Sequence, residues 1–503
     1  MQKMAYAIGT KTAQSNGTRK LNRTRKLNEP RKMTDVSPPD RTLDTPLYLQ
    51  LYQRFQEAIR TGRLKPGDRV PAIRNLASEL NLARGTVETA YQLLISEGYL
   101  EPRGPAGTVV SPRLDAANIL IHHSRNTTAP SAQAPQENRP GSTILPFQLG
   151  LPALDAFPHA LWRRLTTRRL RELQADDLNY PDPLGYRPLR EHLSAYLGIS
   201  RGIHCAPEQL FITAGCQGAL SMICHCLMKH DDQVWFEDPG YHLARRQLEH
   251  AGARLIPVSV DEHGLDVDHG QHCAPQARFA VVTPSHQSPL GNALSLPRRL
   301  KLLNWAAKAE SWIIEDDYDS EYRYEGHPLP ALKSLDQQER VLYIGSFSKV
   351  LFPGLRLGYL VVPESLVETF QLACHTTFGG CPWLSQAIVS DLMHEGHFSR
   401  HLKKMRSLYA QRRAVTAEAL RECLGERLEI KLKAGGMHLL AELPFATDDA
   451  AIAARVQAGG LAVQPLSRWC IDTQCHPGLL LGFTNVASRE QARQLARKLA
   501  TLV

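Results

Sequence analysis

A chain of 503 residues is too long for one compact unit, so two or three domains are expected. Apolar residues make up 43% and charged residues 22%, the balance of an ordinary globular protein, and no apolar run is long enough for a membrane helix or a secretory leader. The net charge of +9 is uneven: residues 1–42 carry ten Lys/Arg against three Asp/Glu, whereas residues 43–111 carry eight against seven. A basic arm of this kind suits a polyanionic partner.

The arm, residues 1–42, contains a short repeat, Thr18-Arg19-Lys20-Leu21-Asn22 and Thr24-Arg25-Lys26-Leu27-Asn28, and has little to bury. It is expected to be disordered, and Met33 offers an alternative start of translation. Residues 43–111 read as a compact module. Leu47, Leu51, Phe55 and Ile59 recur at helical spacing and Gly62 closes that helix. Ala72 to Leu80 forms a second, short helix, and Asn81-Leu82 turns the chain. Arg84 to Glu97 forms a third helix with Val87, Tyr91 and Leu94 on its apolar face. Tyr99 to Arg103 and Thr108 to Val110, joined by Gly104-Pro105-Ala106-Gly107, make a two-stranded wing. Helix, turn, helix and wing is a layout that reads duplex DNA, with the third helix offering its N-terminal residues to the major groove. Arg84, Gly85 and Thr86 stand there, and Arg74 and Arg103 can reach phosphate or base edges.

Residues 112–143, rich in Pro, Ala, Ser, Asn and Thr, read as a flexible linker. Residues 144–503 alternate short apolar runs with amphipathic stretches. Phe211-Ile212-Thr213, Phe279 to Val282, Trp312-Ile313-Ile314 and Val341 to Ile344 are expected to be buried strands of a largely parallel α/β sheet. The ten cysteines are scattered. The tight cluster Cys224-His225-Cys226 lies among Leu220, Ile223 and Leu227 and reads as reduced thiols in a buried helix, not as a metal site.

Within this region Gly345-Ser346-Phe347-Ser348-Lys349 followed by Arg356 is the most informative stretch. It places one lysine among two hydroxyls and an arginine, which is what a lysine needs to form a Schiff base with pyridoxal 5'-phosphate (PLP). The remaining requirements have candidates too. Asp316, directly after the strand Trp312-Ile313-Ile314, can hold the pyridine nitrogen, and Tyr318 can bond the phenolic oxygen. Thr213 to Leu220 runs from strand into helix, so Gly215, Cys216 and Gln217 can cradle an anion at the helix N-terminus. Tyr241 offers a ring to stack, and His286 or Ser288 can touch the cofactor ring.

The module at 43–111 strongly resembles the winged-helix domain of GntR-type bacterial regulators. The matching residues include Pro66-Gly67-Asp68-Arg69-Val70-Pro71-Ala72-Ile73-Arg74, Arg84-Gly85-Thr86-Val87 and Glu97-Gly98-Tyr99-Leu100. Residues 144–503 resemble fold-type I aminotransferases. With the upstream module, the motifs Asn179-Tyr180-Pro181, Glu237-Asp238-Pro239-Gly240-Tyr241, Thr283-Pro284-Ser285-His286-Gln287, Glu315-Asp316-Asp317-Tyr318 and Ser346-Phe347-Ser348-Lys349 narrow the resemblance to the MocR subfamily. It implies operator DNA and PLP as partners, Lys349 as the Schiff-base lysine, and a homodimer in which Tyr180 reaches the partner subunit's phosphate site. Two departures stand out. Ser288-Pro289-Leu290-Gly291 replaces the Asn-Pro-x-Gly of such aminotransferases. Gly478-Leu479-Leu480-Leu481-Gly482-Phe483 also lacks the arginine that grips a substrate carboxylate there.

The expectation is a cytoplasmic, PLP-binding, sequence-specific regulator, similar to the PLP-sensing type that controls vitamin B6 synthesis, with PLP or a PLP-reactive amine as its signal. Two alternatives stand beside it. One is an active aminotransferase with a secondary DNA-binding domain. The other is a DNA-binding protein whose second domain takes no cofactor.

Overall fold

The computed structural model describes residues 39–114, 144–326, 329–472 and 475–503. All but the first three residues of the linker and all but the end of the basic arm lie outside the described residues. Contacts divide the chain into two compact units, one within residues 1–139 and one within 140–503.

In the first unit, α1 (Leu47–Arg60), α2 (Ile73–Glu79) and α3 (Arg84–Ser96) are followed by β1 (Leu100–Pro102) and β2 (Thr108–Val110). The core is made of the residues whose periodicity marked the helices: Leu51, Phe55, Ile59, Leu76, Ala77, Val87, Tyr91 and Leu94 are buried. Phe55 meets Tyr91 edge to face at 5.4 Å, and the Tyr91 hydroxyl donates to the Pro71 carbonyl at 2.9 Å. Truncating Phe55 to alanine in so small a core would cost about 3–5 kcal/mol. Gly62 (φ +71°) follows α1, as its place in the sequence suggested. The wing has an unanticipated edge. Val70 N–H donates to Thr108 O, Val110 N–H donates to Asp68 O, and Arg69 bridges to Val109.

The second unit is built on an eight-stranded sheet ordered β3 (Leu210–Thr213), β10 (Gly358–Val361), β9 (Val341–Ser346), β8 (Trp312–Asp317), β7 (Phe279–Val282), β4 (Gln233–Asp238), β5 (Arg254–Asp261), β6 (Gly264–Leu265). The four apolar runs picked out in the sequence are all strands of it. Strands β9, β8, β7, β4 and β5 are mutually parallel. Strand β10 departs from the expected parallel pattern, running antiparallel to both β3 and β9. Buried residues on the two faces of the sheet belong to separate clusters, since alternate side chains of a strand point to opposite faces. On β7, for example, Phe279 and Val281 pack into one cluster and Ala280 and Val282 into another.

A four-stranded antiparallel sheet, β11 (Glu429–Lys431), β12 (His438–Glu442), β14 (Gly478–Gly482) and β13 (Gln464–Pro465), adjoins the 28-residue helix His397–Leu424. Cys224 and Cys226 are free, half-buried thiols in α4 (Gly215–Leu227). Cys470 and Cys475 are disulfide-bonded, which the scattered cysteine spacing did not suggest. No helix among the described residues is long and apolar enough to cross a membrane.

Candidate functional site

The antiparallel strand explains how distant segments meet. Gly358 of β10 lies opposite Thr213 of β3 on one side and Ser346 of β9 on the other. Both neighbours run the same way and end at the same edge, so the chain leaving β3 as Ala214-Gly215 and the chain leaving β9 as Phe347-Ser348-Lys349 emerge side by side. Gly358 has no room for a side chain, because a Cβ would come within 2.9 Å of the Gly215 backbone. Arg356, half a turn before β10, points its guanidinium at the Ala214 carbonyl (3.1 Å) and Gln217 Oε1 (3.3 Å). Gly215 opens α4 at φ +80°. The result is a group of backbone N–H groups and one guanidinium gathered at this edge of the sheet. Ser348 N–H donates to Ser346 Oγ at 3.2 Å on the same rim.

Lys349 is half-buried, and its Nζ donates to the Gly150 carbonyl at 2.9 Å. Burial lowers its amine below the usual lysine range, while Asp319 and Asp316 pull it back up. A lowered amine is neutral a larger fraction of the time, which condensation with a carbonyl requires. Gly150 was not anticipated. It sits 199 residues upstream at φ +74°, where a Cβ would strike Nζ at 2.5 Å, so glycine is the residue this contact allows.

The three consecutive acids at the end of β8 have different fates. The Glu315 carboxylate accepts from Leu332 N and Lys333 N, both at 2.8 Å. Asp317 pairs with buried Arg201 at 2.6 Å and accepts from the Tyr343 hydroxyl at 2.6 Å. Asp316 accepts a weak bond from Cys216 Sγ at 3.4 Å on Oδ2, and its buried Oδ1 has no hydrogen-bond partner. Burial pushes the Asp316 carboxyl up to about 6, against the lowering effects of Cys216 and Lys349. An orphaned buried acceptor is costly unless something donates to it. The protonated ring nitrogen of PLP is such a donor, and the donor-rich rim at Gly215 and Arg356 suits its phosphate. The residues present therefore fit the cofactor.

Tyr318 places its hydroxyl 2.8 Å from His286 Nδ1. The same nitrogen is 3.2 Å from Asp319 Oδ2, off line for a hydrogen bond, so the Asp319 carboxylate keeps both oxygens without one. Ser288 is buried in the same loop. Tyr241 is half-buried at the end of the turn after β4, its ring 5.8 Å from that of Trp469. Tyr180 stands apart from this group at 97% exposure. Asp319 lies in the same acidic motif as Asp316, so its presence had a signal in the sequence; Gly150 and the Trp469 contact had none.

Within the strand neighbourhood that lacks the arginine, Leu480 is fully buried with Leu440, Leu466 and Trp469, and half-buried Leu149, Tyr241 and Leu290 pack against them. Residues 148–150 link this patch to the lysine. The Gln148 carbonyl lies over Gly482, Leu149 joins the cluster, and Gly150 receives Lys349.

In the first unit, Arg74, Arg84, Gly85 and Arg103 are exposed and Thr86 is half-buried. Arg84 is the first residue of α3, whose preceding residue Ala83 gives no side-chain cap, although its carbonyl accepts from Thr86 N–H at 3.0 Å. Arg69 lays its guanidinium beside Gly107 in the wing (a Cβ there would lie 2.9 Å from Nε), adding a cation the sequence reading did not select.

A winged helix joined to a mixed α/β sheet with a lysine at its rim defines a class: transcription factors that carry an aminotransferase-like domain. Residues 47–110 match the family of bacterial regulatory proteins of the gntR type, and residues 154–475 match aminotransferase class I and II. The chain is 37% identical to the probable rhizopine catabolism regulatory protein MocR of Rhizobium meliloti, over 89% of this chain and 92% of that one. It is 31% identical to the pyridoxine biosynthesis transcriptional regulator PdxR of Corynebacterium glutamicum, over 87% and 92% respectively. Among solved structures it is similar to an archaeal alanine:glyoxylate aminotransferase, with 27% identity, a TM-score of 0.67, and coverage of 72% of this chain and 91% of that one. The chain belongs to the MocR subfamily of GntR-type transcriptional regulators: a DNA-binding, PLP-dependent regulator with a fold-type I aminotransferase domain.

Proposed function

We propose that this regulator is a cytoplasmic homodimer whose operator affinity changes with the occupancy of the site around Lys349, PLP itself being the signal. The observation that carries the reading is the presence in one site of a half-buried amine, Lys349 Nζ, and a buried carboxylate oxygen, Asp316 Oδ1, that lacks a partner. When bound, PLP supplies an aldehyde with which an amine condenses reversibly. Asp316 Oδ1 accepts a hydrogen bond from the protonated ring nitrogen. Tyr318, fixed by His286 Nδ1, donates toward the phenolic oxygen, with Ser288 beside it. Tyr241 stacks on the ring. Gly215, Cys216, Gln217, Ser346, Ser348 and Arg356 hold the phosphate, and exposed Tyr180 reaches across to that of the partner subunit.

The apolar cluster around Leu480 supports PLP over an α-amino acid as the signal, because a carboxylate lodged among these side chains would lose its hydration. Similarity to the pyridoxine biosynthesis regulator points the same way. At the operator, Arg84, Gly85 and Thr86 face base edges, and Arg74 and Arg103 bind phosphate or base. Occupancy changes DNA affinity only if PLP binds the two arrangements of the protein unequally. The test is a titration of the protein's own promoter DNA with and without PLP. A shift of about five-fold or more in apparent Kd is expected, and unchanged affinity at saturating PLP overturns the reading.

A further inference from the structure

Cys470 and Cys475 form the disulfide of the second unit, closing a short loop. The segment leading into that loop seats the turn that carries Tyr241. The carboxylate of Asp238, at the end of β4 and fully buried, accepts from Ile471 N at 2.7 Å and Asp472 N at 2.9 Å. Gly240 N donates to the Trp469 carbonyl at 3.0 Å, and Arg245 Nη1 donates to the Cys470 carbonyl at 3.2 Å. The turn itself has little slack, since a Cβ on Gly240 would strike the Phe236 ring at 2.6 Å. Trp469, Ile471 and Asp472 thus hold the Asp238–Tyr241 turn, Cys470 holds Arg245 of the helix that follows it, and the position of this segment is fixed by a covalent bond between half-buried cysteines. Asp472, between them, is exposed, so a small oxidant can approach.

We propose that Cys470 and Cys475 are a reversible oxidation site, and that closing their disulfide tightens the seat of Tyr241 and so raises affinity for PLP. The second half of this statement rests on Tyr241 being the residue that stacks on PLP. The oxidant is a small-molecule disulfide of the glutathione type. One cysteine thiolate attacks a sulfur of that disulfide, forming a mixed disulfide and expelling one small thiolate. The other cysteine thiolate then attacks the protein sulfur of the mixed disulfide and expels the second. The protein loses two electrons, the small disulfide is reduced to two thiols, and the two cysteine protons end on those thiols. Opened, the loop loses its covalent closure, and the amides of Ile471 and Asp472 are no longer fixed under Asp238.

The experiment uses the full-length protein equilibrated in glutathione buffers from reducing to oxidising. Alkylation and peptide mass mapping count free thiols among the ten cysteines. PLP affinity is measured by titration in each form, and hydrogen exchange is followed at residues 469–472. The oxidised protein is expected to lose two alkylatable thiols, mapping to Cys470 and Cys475. It should bind PLP about five-fold or more tightly than the reduced protein and exchange the Ile471 and Asp472 amides more slowly. Cys475→Ser is expected to show the reduced affinity in every buffer. Thiols that stay alkylatable in fully oxidising buffer overturn the proposal, and so does an oxidised wild type with unchanged exchange at residues 469–472. If both redox forms fail to bind PLP, the cofactor reading has failed, while thiol mapping and exchange still decide the oxidation site.

Discussion

Replacing Asp316 by asparagine should move two properties in opposite directions. Burial holds the wild-type carboxyl at about 6 in place of its ordinary 3.8. A raised carboxyl means the folded protein binds this proton more tightly than the unfolded chain does. Stability therefore falls as pH rises from about 4 to about 6, and the full penalty is present above that window. Two units correspond to roughly 3 kcal/mol at about 1.4 kcal/mol per unit. Asp316→Asn removes the charge, so the cofactor-free variant should be more stable than wild type at pH 8 by up to roughly 3 kcal/mol, or about 5 °C in Tm. The two should converge at pH 4. The same substitution replaces the charged acceptor of the ring nitrogen by a neutral amide oxygen. Losing the charge from that hydrogen bond, about 1–1.5 kcal/mol, weakens PLP binding roughly 5- to 12-fold. Thermal melts of the stripped proteins across pH, and PLP titration at pH 8, read both effects. A variant that is no more stable at pH 8, or that binds PLP as tightly as wild type, would show that the orphaned oxygen is not where the cofactor sits.

Lys349→Ala should abolish the Schiff-base absorption band of bound PLP while leaving the stability of the stripped protein within about 1 kcal/mol of wild type, read by spectroscopy and calorimetry. Arg84→Ala should weaken operator binding by about 1–3 kcal/mol, read by fluorescence anisotropy at fixed salt. Gly107→Ala should loosen the wing by about 1–2 kcal/mol, because φ is +88° and the new methyl meets Arg69; operator affinity should fall while PLP binding is unchanged. A simple apolar amine such as 2-phenylethylamine should alter the spectrum of the PLP-loaded protein at about tenfold lower concentration than phenylalanine does, since Leu480 packs among apolar side chains where a carboxylate would be desolvated.

Much of this site could be read from the chain because its parts are local. A strand ending in acids, a strand running through glycine into a helix, and a serine-flanked lysine each carry their geometry in a few residues. The sequence did not show which of Glu315, Asp316 and Asp317 would be left without a partner. That depends on Leu332, Lys333, Arg201 and Tyr343, which reach the strand end from elsewhere. Gly150 was equally hidden, since one glycine in an irregular segment says nothing of a lysine 199 residues later. The antiparallel β10 reads as one more apolar run, because strand direction is set by the connection and not by composition. Cys470 and Cys475 looked like two more scattered thiols until their backbones were brought to a 6.6 Å separation.

The inverted strand also orders events during synthesis. The glycine turn after β3 and the lysine after β9 are both made before Gly358, the residue that lies between them in the sheet. A chain still on the ribosome that has emerged only through Lys349 has the lysine, the acids and the turn, yet nothing to hold turn and lysine side by side. On the proposed reading of the site, cofactor capture waits for β10, and Leu480 and the rest of the small sheet come later still. PLP would then not template the folding of the domain up to β10 but select chains that have already closed the sheet.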